Sequence, residues 1–275
     1  MITEKAMLVK LQISQWTPTI VDKKVTDEIA VKYNLQDKDD RYVKTLIPKK
    51  AVINISRIVS EIRSFHYRHT LPWQDDSVRI LATENFFDYR QGMADRKALF
   101  DTAVQDFIND YPKWIEYAKQ TKKELFIPEQ YPDVKDIPNN YKINVSFLPF
   151  PSTEDFRITL AGTDLDEIKE KTEQDIREAL TGAWATLISR MQERLQLMYD
   201  AISDPTRVFR DNTITSVAET AEMAKKMNVV DDQQVSTTAD AILTAVQDIS
   251  IDKLRKDSKY REDMAKKIKS LLGLF

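Results

Sequence analysis

The chain has 275 residues, 42% hydrophobic and 31% charged, with a formal net charge of -3. That balance supports a folded core, argues against global disorder, and fits one large domain or two small ones. There is no cysteine and there are only 4 glycines, at positions 92, 162, 182 and 273; disulfides, thiol catalysis and thiolate zinc sites are excluded, and no glycine cluster exists for a dinucleotide or P-loop phosphate turn.

The opening MITEKAMLVKLQ lacks the long apolar run of a signal peptide, and no stretch of about 18 apolar residues occurs, so neither export nor a membrane span is expected. The expected location is the cytoplasm of whichever cell makes the protein. MLVKLQI, residues 7–13, alternates with the two-residue period of a half-buried strand, with Met7, Val9, Leu11 and Ile13 on one side. Residues 21–33 read as a short helix with Val25 and Ile29 inward, and 41–47 as a second strand ended by Pro48. Over 54–70 the residues Ile55, Ile58, Val59, Ile62, Phe65 and His66 share one helical face, and Leu71-Pro72 should stop the helix. A strand is expected at 78–82 and a helix at 94–109 with Leu99, Phe100, Val104, Phe107 and Ile108 as its core stripe. Pro112 should open a new helix running to about 125.

Pro128, Pro132 and Pro138 make 127–141 the clearest linker. It divides the chain into a front part, 1–126, and a back part, 127–275, the two alternatively forming one continuous domain. YKINVSF at 141–147 and FRITL at 156–160 read as an antiparallel strand pair. A long helix at 165–202 follows, its entry carrying Asp164, Asp166 and Glu167, and its length fits a scaffold or an oligomer interface. Helices at 212–227, 237–248 and 251–272 complete the chain, the last broken near Asp257-Ser258. Mixed strands and helices first, then helices alone, indicate an α+β class dominated by helix, with a small antiparallel sheet and long C-terminal helices.

Charge is unevenly spread. Residues 41–73 hold seven Lys/Arg and one acid, 151–250 hold ten basic and nineteen acidic residues, and 251–275 hold eight basic and four acidic ones. Nucleic-acid backbones need cations, and unstacked bases need flat rings. Arg41, Tyr42, Lys44, Lys49, Lys50, Arg57, Arg63, Tyr67, Arg68 and Trp73 supply both and are the candidate nucleic-acid contacts. The same region contains both histidines, His66 and His69, spaced to approach one metal from a helix face. A metal-dependent enzyme would need further ligands that no spacing selects, and His66 lies on the apolar stripe, so a packed histidine is the preferred reading. At the C-terminus, Met264, Ile268, Leu271, Leu272 and Phe275 form an apolar stripe flanked by Lys266, Lys267 and Lys269. That helix is expected to pack on its own fold or on a sister subunit, with the three lysines as candidate partner contacts. No catalytic set is recognised, and no cofactor is expected.

LFIPEQYP, NNYKINVSFLPFP with FRITLAG after it, the ISRMQERLQ helix, FRDNTI and LRKDSKYREDMAKKIKSLL resemble a domain family of phages and mobile elements. Within it, the chain is similar to the single-stranded DNA-binding RNA polymerase cofactors of phages related to the coliphage that carries a virion RNA polymerase. The likeness spans roughly 125–275 and more loosely the front half. It implies single-stranded DNA binding without an OB-fold, no enzymatic activity, and recruitment of a phage RNA polymerase to melted promoters, with a homo-oligomer as the expected assembly. The competing expectation is a structural or adaptor protein whose helical half docks an ATPase or another phage protein.

Overall fold

The computed structural model describes residues 2–35, 40–73, 77–151, 163–204, 207, 210 and 212–275, the side chains of 163–166 excepted. In chain order the elements are α1 (Ile2–Lys5), β1 (Ala6–Ser14), β2 (Thr19–Val21), α2 (Lys23–Tyr33), β3 (Val43–Thr45), α3 (Ile53–Arg68), β4 (Leu71–Pro72), β5 (Val78–Ala82), α4 (Phe86–Lys122), β6 (Lys142–Pro149), α5 (Thr163–Ser203), α6 (Asn212–Lys226), α7 (Gln233–Gln247), α8 (Ile251–Lys256) and α9 (Ser258–Leu272). The fold is α+β and helix-dominated. Its four-stranded sheet runs β4-β5-β1-β6, and β2 and β3 form a separate antiparallel pair. Among the described residues no helix is long and apolar enough to cross a membrane. The strand expected at 156–160 and the side chains of Asp164 and Asp166 lie outside the described residues.

The chain forms two compact units, each assembled from separated stretches: 1–10, 66–90 and 146–275 in one, 11–65 and 91–145 in the other. This partition differs from a front-to-back division at 126, because β1, α3, α4 and β6 each run across a unit boundary.

In the first unit β1 forms as a strand, but Ala6 and Leu8 join the core rather than the expected row of Met7, Val9, Leu11 and Ile13, of which only Val9 is fully buried. β1 pairs antiparallel with β5, Ala6 opposite Ala82 and Lys10 opposite Val78, and β4 adds Leu71 opposite Ile80. Leu8, Leu71, Ile80 and Ala82 join the core made by the helices. α5 is 41 residues long and contributes Ala183, Leu187, Met191, Leu195, Met198 and Ile202, a row of three- and four-residue steps. Val217, Ala221 and Ala224 of α6, Val235, Ala239 and Ile242 of α7, and Ile268 of α9 complete it. Met264, Leu271, Leu272 and Phe275 also pack there, so the C-terminal stripe is spent on the protein's own fold. The break before α9 has a local cause. The Asp257 carboxylate accepts the Tyr260 amide at 3.0 Å and starts a new helix.

In the second unit α3 and α4 carry the core. Ile55, Ile58, Val59, Ile62 and Phe65 are buried as expected, as are Met93, Phe100, Val104, Phe107 and Tyr111 of α4. Leu99 is not in that stripe and is 56% exposed. The expected helix break at Pro112 does not occur; α4 is one helix of 37 residues with Pro112 inside it. A proline there removes one amide bond and crowds the preceding turn, at a cost of about 3 kcal/mol. Packing on both sides of it offsets the cost. Phe107 and Tyr111 stand 5.6 Å apart and both contact Trp16, and Ala118 is buried six residues beyond the proline. Gly92 is fixed by the same packing, since a Cβ there would lie 2.2 Å from the Phe65 ring.

The proline-rich 127–141 is a packed strap within this unit. Its prolines open single 3-10 turns, Pro128–Gln130 and Ile137–Asn140. Tyr131 donates its hydroxyl to the Leu46 carbonyl at 3.2 Å, Tyr111 donates to the Pro132 carbonyl at 3.1 Å, and Ile137 is buried. Burial pushes the Tyr111 hydroxyl up to about 12.

The β2–β3 ribbon is fixed by an ion pair. Lys44 Nζ lies 2.8 Å from the Asp22 carboxylate and donates to the Leu125 carbonyl at 2.9 Å, with Lys44 only 1% exposed. Asp22 also caps α2 by accepting the Val25 amide. The Lys44 hydrogen bond, then that amide, hold the Asp22 carboxyl below its ordinary range. Lys44→Met leaves that carboxylate and carbonyl without their donor. Its urea midpoint should fall at pH 7, and the deficit against the parent should shrink below about pH 4, where the unfolded-state carboxylate takes up its proton. An unchanged midpoint at pH 7 would show that the pair contributes nothing.

Candidate nucleic-acid interface

The candidate contacts divide between the two units. Arg41, Tyr42, Lys44, Lys49, Lys50, Arg57 and Arg63 belong to the second, and Tyr67, Arg68 and Trp73 to the first. Lys44 is removed from the surface set, because its ammonium is buried against Asp22. Trp73 is largely removed too. Its ring is half-buried, packs edge-on against Phe150 at 5.2 Å and belongs to the first unit's core. Arg57 is exposed but turned onto its own helix, donating to Glu61 at 2.7 Å and to Asn54 at 3.1 Å. Among the described residues Arg41, Lys49 and Arg63 are exposed and hold no ion pair.

Lys50 sits in a setting that sequence reasoning missed. It follows Pro48 in a 3-10 turn, Lys49–Ala51, at the entry to α3. Its ammonium stands 5.6 Å from the ring centroids of both Trp114 and Tyr117 on α4. Those rings are three residues apart on one helical face and meet edge-on at 6.2 Å. Tyr117 is 42% exposed. The cluster thus joins a cation to two large rings, one of them open to solvent. The one signal in the sequence was that three-residue spacing, displaced by more than sixty residues from Lys50.

In the first unit the last turn of α3 is held by two guanidinium groups. Arg190 of α5 donates to the carbonyls of Tyr67 at 2.8 Å, Arg68 at 3.3 Å and Thr70 at 3.0 Å. Arg79 of β5 is buried and donates to the Thr70 hydroxyl at 2.7 Å and to the same carbonyl at 3.3 Å. These bonds satisfy carbonyls that the helix end leaves open. Burial, then the charge of Arg79, lowers the Arg190 guanidinium to about 10. Arg79 also lies behind the Tyr67 ring, 4.6 Å from its centroid, while Tyr67 remains 40% exposed. Tyr67 and Arg68 line a cleft of about 460 Å3 between this turn, α5 and α6.

His66 is a packed histidine. It is 3% exposed, its Nδ1 lies 2.8 Å from the Tyr89 hydroxyl, and desolvation, then the Arg79 charge, lowers it to about 4. His69 turns to a different partner, Asn85, at 3.3 Å. Among the described residues no group of three or more metal-ligating side chains is placed to hold an ion. The C-terminal lysines do not act alike. Lys267 donates to the Ala245 carbonyl of α7, whereas Lys266 and Lys269 are exposed and line an open cleft at the start of α9.

No family model, curated protein or solved structure matches the chain.

The buried His66 makes stability depend on pH with a definite sign. Its imidazole stays neutral in the fold down to about pH 4 but takes up a proton near 6.5 when unfolded, so its contribution is complete above about 6.5 and is lost as pH falls toward 4. His66→Gln should abolish that part of the slope, a difference on the order of 3 kcal/mol across the window in denaturant titrations. Parallel stability-pH curves for the two proteins would contradict the neutral, buried assignment.

Proposed function

We propose that the protein binds single-stranded DNA without catalysing a reaction on it. The observation that carries this reading is the cluster of Lys50 with the rings of Trp114 and Tyr117. A single strand offers a charged backbone and unstacked π-faces at every residue. A lysine beside two large rings, that of Tyr117 exposed, therefore meets both needs without reading sequence. Lys49, Arg41 and Tyr42 add exposed charge and a ring in the same unit. The resemblance to phage polymerase cofactors extends the proposal: the strand is that of a melted promoter, the partner a phage RNA polymerase, and Lys266 and Lys269 its contact residues. A homo-oligomer fits the same role, because arrays on a strand bind cooperatively.

Fluorescence anisotropy with matched single- and double-stranded oligonucleotides, over a salt series, tests the DNA reading. Single strands should bind more tightly, and affinity should fall steeply with salt as neutralised phosphates release counterions. Replacing Lys49 and Lys50 together by Ala should lower the slope of log affinity on log salt by about 1.4, at roughly 0.7 per phosphate contact. Tyr117→Ala should weaken binding by about 1 kcal/mol or more. No binding at low salt would end the proposal, and a stable protein complex formed by a chain without DNA affinity would favour the adaptor reading.

A further inference from the structure

The cleft of the first unit has a more specific chemistry than a basic surface. Its wall is the Tyr67 ring, and its floor is apolar, with Leu187, Met223 and Met227. The ring's rear is occupied by Arg79, which is itself bonded to Thr70. One face of Tyr67 is thereby backed by a fixed guanidinium while the residue keeps its exposure to the cleft. Charges of both signs stand around it. Arg68 and Arg194 are cationic, and Glu219 and Glu222 are anionic. Among the described residues none of these four is in an ion pair, whereas Lys226 beside them is committed to Asp88. Glu193 adds a third carboxylate to the lining, so a purely anionic ligand would be repelled, and a purely apolar one would leave these charges unused.

A single nucleotide offers a partner to the ring and to charges of both signs. Its base is flat and stacks on a tyrosine ring, and its phosphate suits guanidinium. A carboxylate accepts from an exocyclic amino group, such as N4 of cytosine or N6 of adenine. Thymine has no exocyclic amino group, and its one donor, N3–H, lies between two carbonyl oxygens that face a carboxylate unfavourably. We propose that this cleft receives one unstacked nucleotide of the bound strand, with the base against Tyr67 and the phosphate on Arg68 and Arg194. Glu219 and Glu222 then favour bases with an exocyclic amino group over thymine. This rests on the single-stranded DNA reading above and adds base selection to it.

The test uses the full chain and labelled oligo-dC, oligo-dA and oligo-dT of equal length at pH 7.5. The parent should bind dC and dA about tenfold more tightly than dT, the size of one discriminating base contact. The double variant Glu219→Gln, Glu222→Gln should lose most of that ratio while keeping its dT affinity. Intrinsic differences between the strands cancel when variant and parent ratios are compared. Tyr67→Leu should weaken all three oligonucleotides. A parent that binds all three equally, or a ratio unchanged in the glutamine variant, overturns the cleft assignment and leaves strand binding intact. Failure of the parent to bind any oligonucleotide overturns both.

Discussion

The structure depends on how its helices end. Each helix leaves carbonyl groups open at its C-terminus, and the usual remedy is a glycine in the left-handed conformation. With 4 glycines in 275 residues, that remedy is scarce. α2 uses Asn34 instead, at φ 51. Elsewhere cationic side chains reach in from distant elements. Arg190 closes α3, and Arg261 closes α5 by donating to Ala201 at 2.8 Å and Ile202 at 2.7 Å, then to Asp204 beyond the helix end. Lys267 donates near the end of α7, and Lys44 serves the turn that follows α4. Each such bond sets a positive charge at the negative end of a helix dipole while satisfying a carbonyl. One set of interactions thus ends the helices and ties them to their neighbours.

That use of cations explains why charge in the sequence was an uncertain guide to the surface. Lys44 and Lys49 stand five residues apart in one basic segment, yet one is buried against a carboxylate and a carbonyl and the other is exposed. Nothing within a few residues separates them. The partner that buries Lys44 is Asp22, and the carbonyl it serves is Leu125. Arg190 contacts α3 across some 120 residues of chain. Composition records that cations are present; only tertiary structure assigns them to carbonyls, carboxylates or solvent.

Local patterns were legible for the same reason in reverse. The apolar stripe of α3, the long α5 and the helix break at Asp257-Ser258 are set by spacings within a turn or two and appear where those spacings place them, whereas β1 forms as a strand with the other register facing the first unit's core. The failures fall where distant packing outweighs a local signal. Pro112 is a strong breaker, but α4 stays whole, with Phe107 and Tyr111 packed before the proline and Ala118 buried after it. The prolines of 127–141 do mark turns, yet Tyr111 and Leu46 hold those turns against the second unit, so a segment that reads as a linker is part of a core. The candidate site was legible in part. Lys50 and Tyr67 were identified, while Trp114 and Tyr117 were not, since the rings that complete a site need only be close in space.

The two clusters that hold these residues differ in preorganisation. Lys50 reaches its rings through a flexible four-carbon stem from a short turn, so a ligand there must order a side chain as it binds. Tyr67 stands on a turn whose carbonyls are already held by Arg190, with Arg79 fixed behind its ring. Most of the entropy of placing that ring is therefore lost on folding rather than on binding. On the proposed reading a cluster of the first kind would suit a moving strand, because a flexible side chain can adapt to any base. A rigid wall suits selection, because a mismatched base cannot be accommodated by moving the wall. The buried His66 and Tyr89 next to that turn act on the same side of the balance. Their hydrogen bond, 2.8 Å long and shielded from water, stiffens the base of the turn from beneath.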